Sequence, residues 1–259
     1  MCGLFCPRMT VSCHPFKVHS FDTDAFGLLS APGLLGYLLE SSGRSADRLG
    51  FGIAKLQKER GLTWVIGRIK IELLKPLRFL ENLEVQTWPS GLARSAVMRD
   101  FRILKSDLEV GRATSTWFLL DMDTRLPVRA HEVFPSHLHP EQEHLVPLSR
   151  LVPRFHEPDE VAHQFSVRFS DIDLNRHVTA ASYVAWAMEA VDEQTWETQR
   201  LSSLDIQFLE ECHLGETVIS SSRRLDATTR LHRISRHSNG QEITRVMTTF
   251  TARETDDCP

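Results

Sequence analysis

The sequence predicts an α+β protein built from two degenerate copies of one unit, each a main helix followed by an antiparallel sheet. The first observation is internal similarity. FDTDAFGLLSAPGLLGYLLE at 21–40 matches FSDIDLNRHVTAASYVAWAMEA at 169–190, and one spacing of 149 residues separates Asp22 from Asp171, Asp24 from Asp173 and Glu40 from Glu189. The second lies downstream of each copy. Stretches rich in β-branched and aromatic residues occupy 62–74, 83–88, 94–104 and 111–121, then 203–209, 216–223, 231–236 and 241–252.

The individual elements have local reasons. Ser30 and Thr179 stand where an N-cap is needed, and Gly50 can end the first helix. Ala180, Val184, Ala187 and Val191 recur at helical spacing, widened by Tyr183 and Met188. Gly33 and Gly36 weaken the first helix by roughly 1 kcal/mol each relative to Ala, a cost that close approach of a sheet would account for. Lys105-Ser106-Asp107 and Ser238-Asn239-Gly240 separate strands as turns. Six of the twelve prolines fall between 125 and 158, a density that excludes a regular helix or a central strand. The expected boundaries are a first unit at 14–124, a proline-rich connector at 125–160 running along the surface, and a second unit at 161–253. The copies are expected to pack face to face, with their sheets paired to cover open strand edges.

Composition narrows the function classes. The 259 residues carry 30 Lys and Arg against 34 Asp and Glu, a net charge of −4, which gives no general footprint for nucleic acid. The longest uncharged apolar stretch, 25–39, is shorter than the roughly 18–20 residues of a membrane span and is broken by Pro32, Gly33 and Gly36. No charged start precedes an apolar core, so no cleaved signal is expected. The five cysteines, four of them (Cys2, Cys6, Cys13, Cys258) near the chain ends, form no disulfide or zinc framework, and a reducing, cytoplasmic location is expected.

The copies differ in their chemistry. Asp173, Asn175 and His177 alternate before the second helix, so in an extended segment their side chains share one face. The first copy has Asp24, Phe26 and Leu28 there. One strand on, at a spacing of 135, Glu211 falls opposite Pro76 and Cys212 opposite Leu77. The shorter spacing places extra residues in the first copy, within 46–62. All reactive groups therefore belong to the second half, predicting one active site per chain.

These segments resemble a known family. RFSDIDLNRHVTAASYVAW is similar to the active-site signature of the acyl-acyl carrier protein thioesterases, FLEECHLGE to their second block, and TWVIGRIKIELLKPLRFLENLEVQTW to their N-terminal module. The resemblance covers roughly 16–252. Where family members usually carry Asn-Asn after His-Val, this chain has Thr179-Ala180. The resemblance implies a tandem (double) hotdog fold, each long helix wrapped by an antiparallel β-sheet, and catalytic residues Asp173, Asn175, His177, Glu211 and Cys212. It also implies a partner, acyl carrier protein bearing an acyl-phosphopantetheine thioester, with no cofactor and no metal. Monomer and homodimer both remain open.

Hydrolysis of a thioester needs a base for the nucleophile and donors for the oxyanion. Glu211 is the candidate base for water, made more basic if Phe208 and Leu209 bury it. His177 would orient the water or donate to developing charge, Asn175 would hold the carbonyl or the water, and Asp173 would orient the trio. The start of the second helix offers free N–H groups. The rival route makes Cys212 a nucleophile activated by His177; the site logic favours water. With Phe26, Leu28 and Pro76 where the second half has reactive groups, the first half is expected to shape the acyl-chain pocket. Irregular spacing weighs against a metal site at His131, His137, His139 and His144. Arg44, Arg48, Arg94, Arg99 and Arg102 are candidates to meet an acidic carrier. Two other functions fit: an acyl-CoA thioesterase, and a non-hydrolytic acyl-binding hotdog protein.

Overall fold

The first half begins with β1 (Ser12–Lys17), followed by α1 (Ala31–Arg48), α2 (Ile53–Arg60), β2 (Leu62–Leu73), β3 (Asn82–Ala93), β4 (Ala96–Lys105) and β5 (Leu108–Asp121). The connector contributes β6 (Pro127–Val128) and the single turn α3 (Ala130–Val133). The second half comprises β7 (His163–Ser166), α4 (Ala180–Met188), α5 (Glu193–Thr198), β8 (Gln199–Phe208), β9 (Thr217–Arg224), β10 (Thr229–Arg236) and β11 (Glu242–Ala252). This computed structural model describes residues 11–93, 95–135, 143–148, 150–156 and 163–253; Cys2, Cys6, Arg94, His137, His139 and Cys258 lie outside them.

The expected strands form, and two unexpected short ones, β1 and β7, add to the sheet ends. The strands make one eleven-stranded sheet in the order β1-β3-β4-β5-β2-β8-β11-β10-β9-β7, with β6 on β5. The halves therefore join edge to edge, through antiparallel β2 and β8 from Arg68↔Gln207 to Glu72↔Ser203, while α1 and α4 pack against each other. On one face of the seam, Ile69, Ile71, Leu204 and Ile206 enter a core shared with Leu34, Leu35 and Leu38 of α1 and Val184 of α4. On the other face, Arg68 donates to Asp205 through Nε at 2.8 Å and Nη2 at 2.7 Å. Both side chains are almost wholly buried.

The duplication is reproduced bond for bond. Asp24 N donates to Leu28 O at 2.8 Å and Asp173 N to His177 O at 2.9 Å. Leu29 N reaches Leu77 O at 2.7 Å and Val178 N reaches Cys212 O at 3.0 Å, so the alignment of Leu77 with Cys212 is physical.

Ser30 caps α1 by accepting from Gly33 N at 3.2 Å. Thr179 occupies the N-cap position of α4, but its side chain makes no capping bond. The glycines of α1 are not explained by a sheet. A Cβ on Gly33 would lie 2.7 Å from Asp22 O in the preceding loop, and one on Gly36 would meet nothing within 4 Å. Before the seam strand, α1 runs to 18 residues against 9 in α4, and α2 has 8 against 6 in α5. The connector is more embedded than a surface strap: it has one helical turn and an edge strand, and buries Phe134, Val146, Val152 and Phe155. Its apolar residues cover outer parts of the sheet, as where Val152 and Phe155 meet Leu231.

Asp205→Ala should cost about 3–5 kcal/mol, because it strands the buried Arg68 guanidinium. The apolar pair Arg68→Met with Asp205→Leu should cost much less. Equal losses in denaturant unfolding would show that the ion pair is not what makes this position sensitive.

Candidate active site

His177 ends the turn before α4, and Glu211 lies in the loop after β8. The fold brings His177 Nε2 to 3.3 Å from Glu211 Oε2. Burial lowers the imidazole pKa below its ordinary 6.5; Glu211 and Asp173 oppose this, while His213 and Arg125 add to it. The net effect favours the neutral ring.

The segment 173–177 is not extended as the alternation implied. It is a tight turn closed by Asp173 N to His177 O at 2.9 Å and Arg176 N to Asp173 O at 3.0 Å. Arg176 sits at φ 63°, where the first copy places Gly27 at φ 73°. A left-handed non-glycine residue costs roughly 1–2 kcal/mol. Asp173 organises this turn rather than the imidazole: its Oδ1 accepts from Asn175 N at 2.8 Å and His177 N at 3.5 Å. Asp24 does the same for Phe26 N at 2.9 Å and Leu28 N at 3.0 Å, so this carboxylate serves the backbone in both copies.

Three residues of the site were missed in the sequence: His213 of the second half, whose ring lies 5.0 Å from that of His177, and two from before the second half. Arg125, in the loop after β5, contacts both oxygens of the Glu211 carboxylate through Nη2. Gln57 of α2 donates to Asn175 Oδ1 at 3.4 Å, which leaves the Asn175 Nδ2 protons as the free donors of that amide. Arg125 and Glu211 are 86 residues apart in sequence and Gln57 and Asn175 are 118 apart. No local pattern links either pair; only the seam does. Glu211 consequently does not sit in the apolar pocket expected of Phe208 and Leu209. Its side chain is one-third exposed and paired with a guanidinium.

Cys212 is fully buried. Its thiol donates to Glu216 Oε2 at 2.8 Å, and burial, then Glu216, pushes its pKa up to about 12. Both features are the reverse of the accessible, low-pKa thiol that nucleophilic catalysis uses.

The His177–Glu211 pair opens into a cavity of about 850 Å³ walled by both halves. Asp173, Asn175 and His177 are among its lining residues. The rest is mostly apolar, with Ile66, Trp117 and Phe118 from β2 and β5 and Tyr183 from α4. Small α1 residues, Ser42, Gly43 and Ala46, leave it room. Gly67 must stay glycine here, since a Cβ would strike the Phe118 ring. Arg99 also lines this cavity, buried, its pKa lowered to about 10 by burial. It is therefore unavailable for surface docking, and Arg44 and Arg102 are already paired with Glu40 and Glu109.

Among the described residues, ligand atoms of His177, Glu211 and His213 lie within 4.8 Å of one another, a donor set able to hold a metal ion, although Arg125 already engages that carboxylate. In the connector, His144 Nδ1 meets Ser90 Oγ at 3.2 Å, and His131 lies 3.9 Å from Glu132.

Family models for the acyl-ACP thioesterase N-terminal and C-terminal domains match residues 10–137 and 156–252. The chain belongs to the acyl-ACP thioesterase family. It is 25% identical to a palmitoyl-acyl carrier protein thioesterase of Cuphea hookeriana over 90% of this chain and 60% of the relative. It is 26% identical to oleoyl-acyl carrier protein thioesterase 2 of Arabidopsis thaliana over 81% of this chain and 66% of the relative. The chain thus spans about three-fifths of the length of the first curated relatives it matches. A crystal structure of an acyl-ACP thioesterase from Bacteroides thetaiotaomicron superposes with a TM-score of 0.84 at 23% identity, covering 93% of this chain and 98% of that one. The 12:0-ACP thioesterase from Umbellularia californica gives 0.83 at 19%, covering 94% and 98%. These likenesses establish the double hotdog fold.

A second cleft, of about 680 Å³, occupies the sister position. Phe26, Leu28, Pro76 and Leu77 line it, a space apart from the one beside His177. The apolar wall that the first half gives the cavity beside His177 includes Ile66, Trp117 and Phe118 of β2 and β5.

Native protein treated with iodoacetamide at pH 8 should label Cys13, which is exposed, and spare Cys212 until guanidinium unfolds the chain. Peptide mass spectrometry reads this directly; equal labelling of both in the native state would mean the thiol is accessible after all.

Proposed function

We propose that this chain hydrolyses the thioester of acyl-acyl carrier protein and releases free fatty acid. The observation that carries the reading is the His177–Glu211 pair at 3.3 Å, lining a large, mainly apolar cavity. The cavity accepts an alkyl chain by burying methylenes at about 0.8 kcal/mol each, and its polar residues leave the thioester carbonyl beside the pair.

The side chains present supply the chemistry. Glu211 takes a proton from water as the water oxygen bonds to the carbonyl carbon. The developing oxyanion is met by donors at hand: the Asn175 amide, turned outward by Gln57, and the first N–H groups of α4. His177, favoured in its neutral form, holds the water and the carboxylate in line. Collapse breaks the carbon–sulfur bond, and the proton held by Glu211 passes to the departing thiolate. Asp173 maintains the turn that aims Asn175 and His177. Cys212 stays outside the reaction.

The first half contributes the chain-binding wall and the second half most of the reactive groups. Among the described residues, no helix is long and apolar enough to cross a membrane. A cytoplasmic site of action is part of the proposal; the curated plant relatives are chloroplastic. Coenzyme A esters carry the same pantetheine arm, so the carrier preference is decided by assay.

Thiol release measured on acyl-carrier protein and on acyl-coenzyme A tests this. The carrier-protein substrate should turn over faster. Glu211→Gln should lose roughly 10²- to 10⁴-fold, whereas Cys212→Ala should keep most of the activity. A reversed mutant pattern would restore the cysteine route; tight acyl binding with no thiol release would make the protein a binding module.

A further inference from the structure

Glu211 is presented by the loop after β8 and met from the other half by one guanidinium. That guanidinium is not a loose surface charge. The loop bearing it is tied down: Asp121 Oδ1 accepts from Asp123 N at 3.1 Å, Thr124 N at 2.8 Å and Thr124 Oγ1 at 2.9 Å. Arg125 N then donates to Asp121 O at 2.9 Å, and Asp121 N to Leu126 O at 3.0 Å. Arg125 takes a left-handed φ of 58° to do so. A non-glycine residue held in this way needs surroundings that fix it.

The sister cleft has the same device with different chemistry. Arg253, just past the end of β11, places its guanidinium carbon 3.8 Å from the centroid of the Phe26 ring, and Phe26 stands where the other copy has Asn175. Each half thus closes its last strand with an arginine that reaches into the other half. One meets a ring; the other meets a carboxylate beside an imidazole.

We propose that Arg125 is a positioning residue for the hydrolysis, fixing the plane of the Glu211 carboxylate against His177 so that both halves jointly complete the active site. This rests on the hydrolase reading above. A single nitrogen, Nη2, bridges both carboxylate oxygens, and a carboxylate offers about four lone-pair sites. One lobe of each oxygen therefore remains for His177 and for water. Without Arg125 the carboxylate is free to rotate about its last bond, and the near-attack geometry of the water is lost for most of the time. The cation also favours the unprotonated imidazole. The groups facing His177 are Glu211 and Asp173, which favour its charged form, and His213 and Arg125, which oppose it; Asp47, Glu210 and Arg236 line the same cavity.

The test uses the full chain with Arg125→Gln and Arg125→Lys. Steady-state kinetics on acyl-carrier protein should show Arg125→Gln lowering kcat about 10- to 100-fold with KM within about twofold, and lysine restoring a large part. The His177 imidazole, monitored by heteronuclear NMR, should titrate at a higher pH in Arg125→Gln and return toward the parent in Arg125→Lys. The NMR measurement needs no substrate. If the parent itself releases no thiol, the hydrolase reading fails, and the titration alone still decides whether Arg125 governs the pair. A kcat for Arg125→Gln within about twofold of the parent, a loss that lysine does not repair, or an unmoved titration midpoint overturns the proposal.

Discussion

Strands β2 and β8 hydrogen-bond across the middle of the sheet. On the face away from the helices, Arg68 and Asp205 close a buried bidentate pair over the same joint. Both partners are desolvated, so each tolerates burial only while the other is present. Opposite them, Ile69, Ile71, Leu204 and Ile206 fasten the joint to the core. This seam fixes how far β5 of one half stands from the loop after β8 of the other. The cavity, the Arg125–Glu211 contact and the Gln57–Asn175 contact all span it.

The duplicated backbone has been kept where its hydrogen bonds close the turn before each helix, and has diverged where side chains face the clefts. Asp24 and Asp173 do one job in both copies. The residues between and beyond them decide the outcome. Asn175, His177 and Glu211 put polar groups in one cleft, while Phe26, Leu28 and Pro76 make the other apolar throughout that stretch. Burial does further sorting. Glu211 and Cys212 are neighbours in sequence, yet one faces the cavity and the other is sealed against Glu216.

Much of this was legible in the sequence because it is local or repeated. Alternation and β-branched content marked the strands from β2 to β5 and from β8 to β11. The spacings of 149 and 135 placed His177 and Glu211 in corresponding positions and identified Leu77 as the counterpart of Cys212. What could not be read is what depends on the joint. Arg125 sits at the start of a proline-rich connector and looks like a solvated cation until β5 is laid beside the second half. Gln57 looks like any helix-surface residue. The left-handed turn at 173–177 is masked by Arg176, and only Gly27 at the matching place in the first copy hints at it. Arg99 shows why a run of basic residues is a poor guide to a surface: strand alternation turns it inward.

The central claim is spatial: a thioester is held at the cavity shared by the halves, with its alkyl chain running into the first. A crystal structure with a non-hydrolysable acyl-phosphopantetheine amide measures this most directly. The account predicts the amide carbonyl beside His177 and Glu211, and the chain among Ile66, Trp117 and Phe118. Density for the chain in the cleft of Phe26, Leu28 and Pro76, with the His177–Glu211 pair untouched, would contradict it.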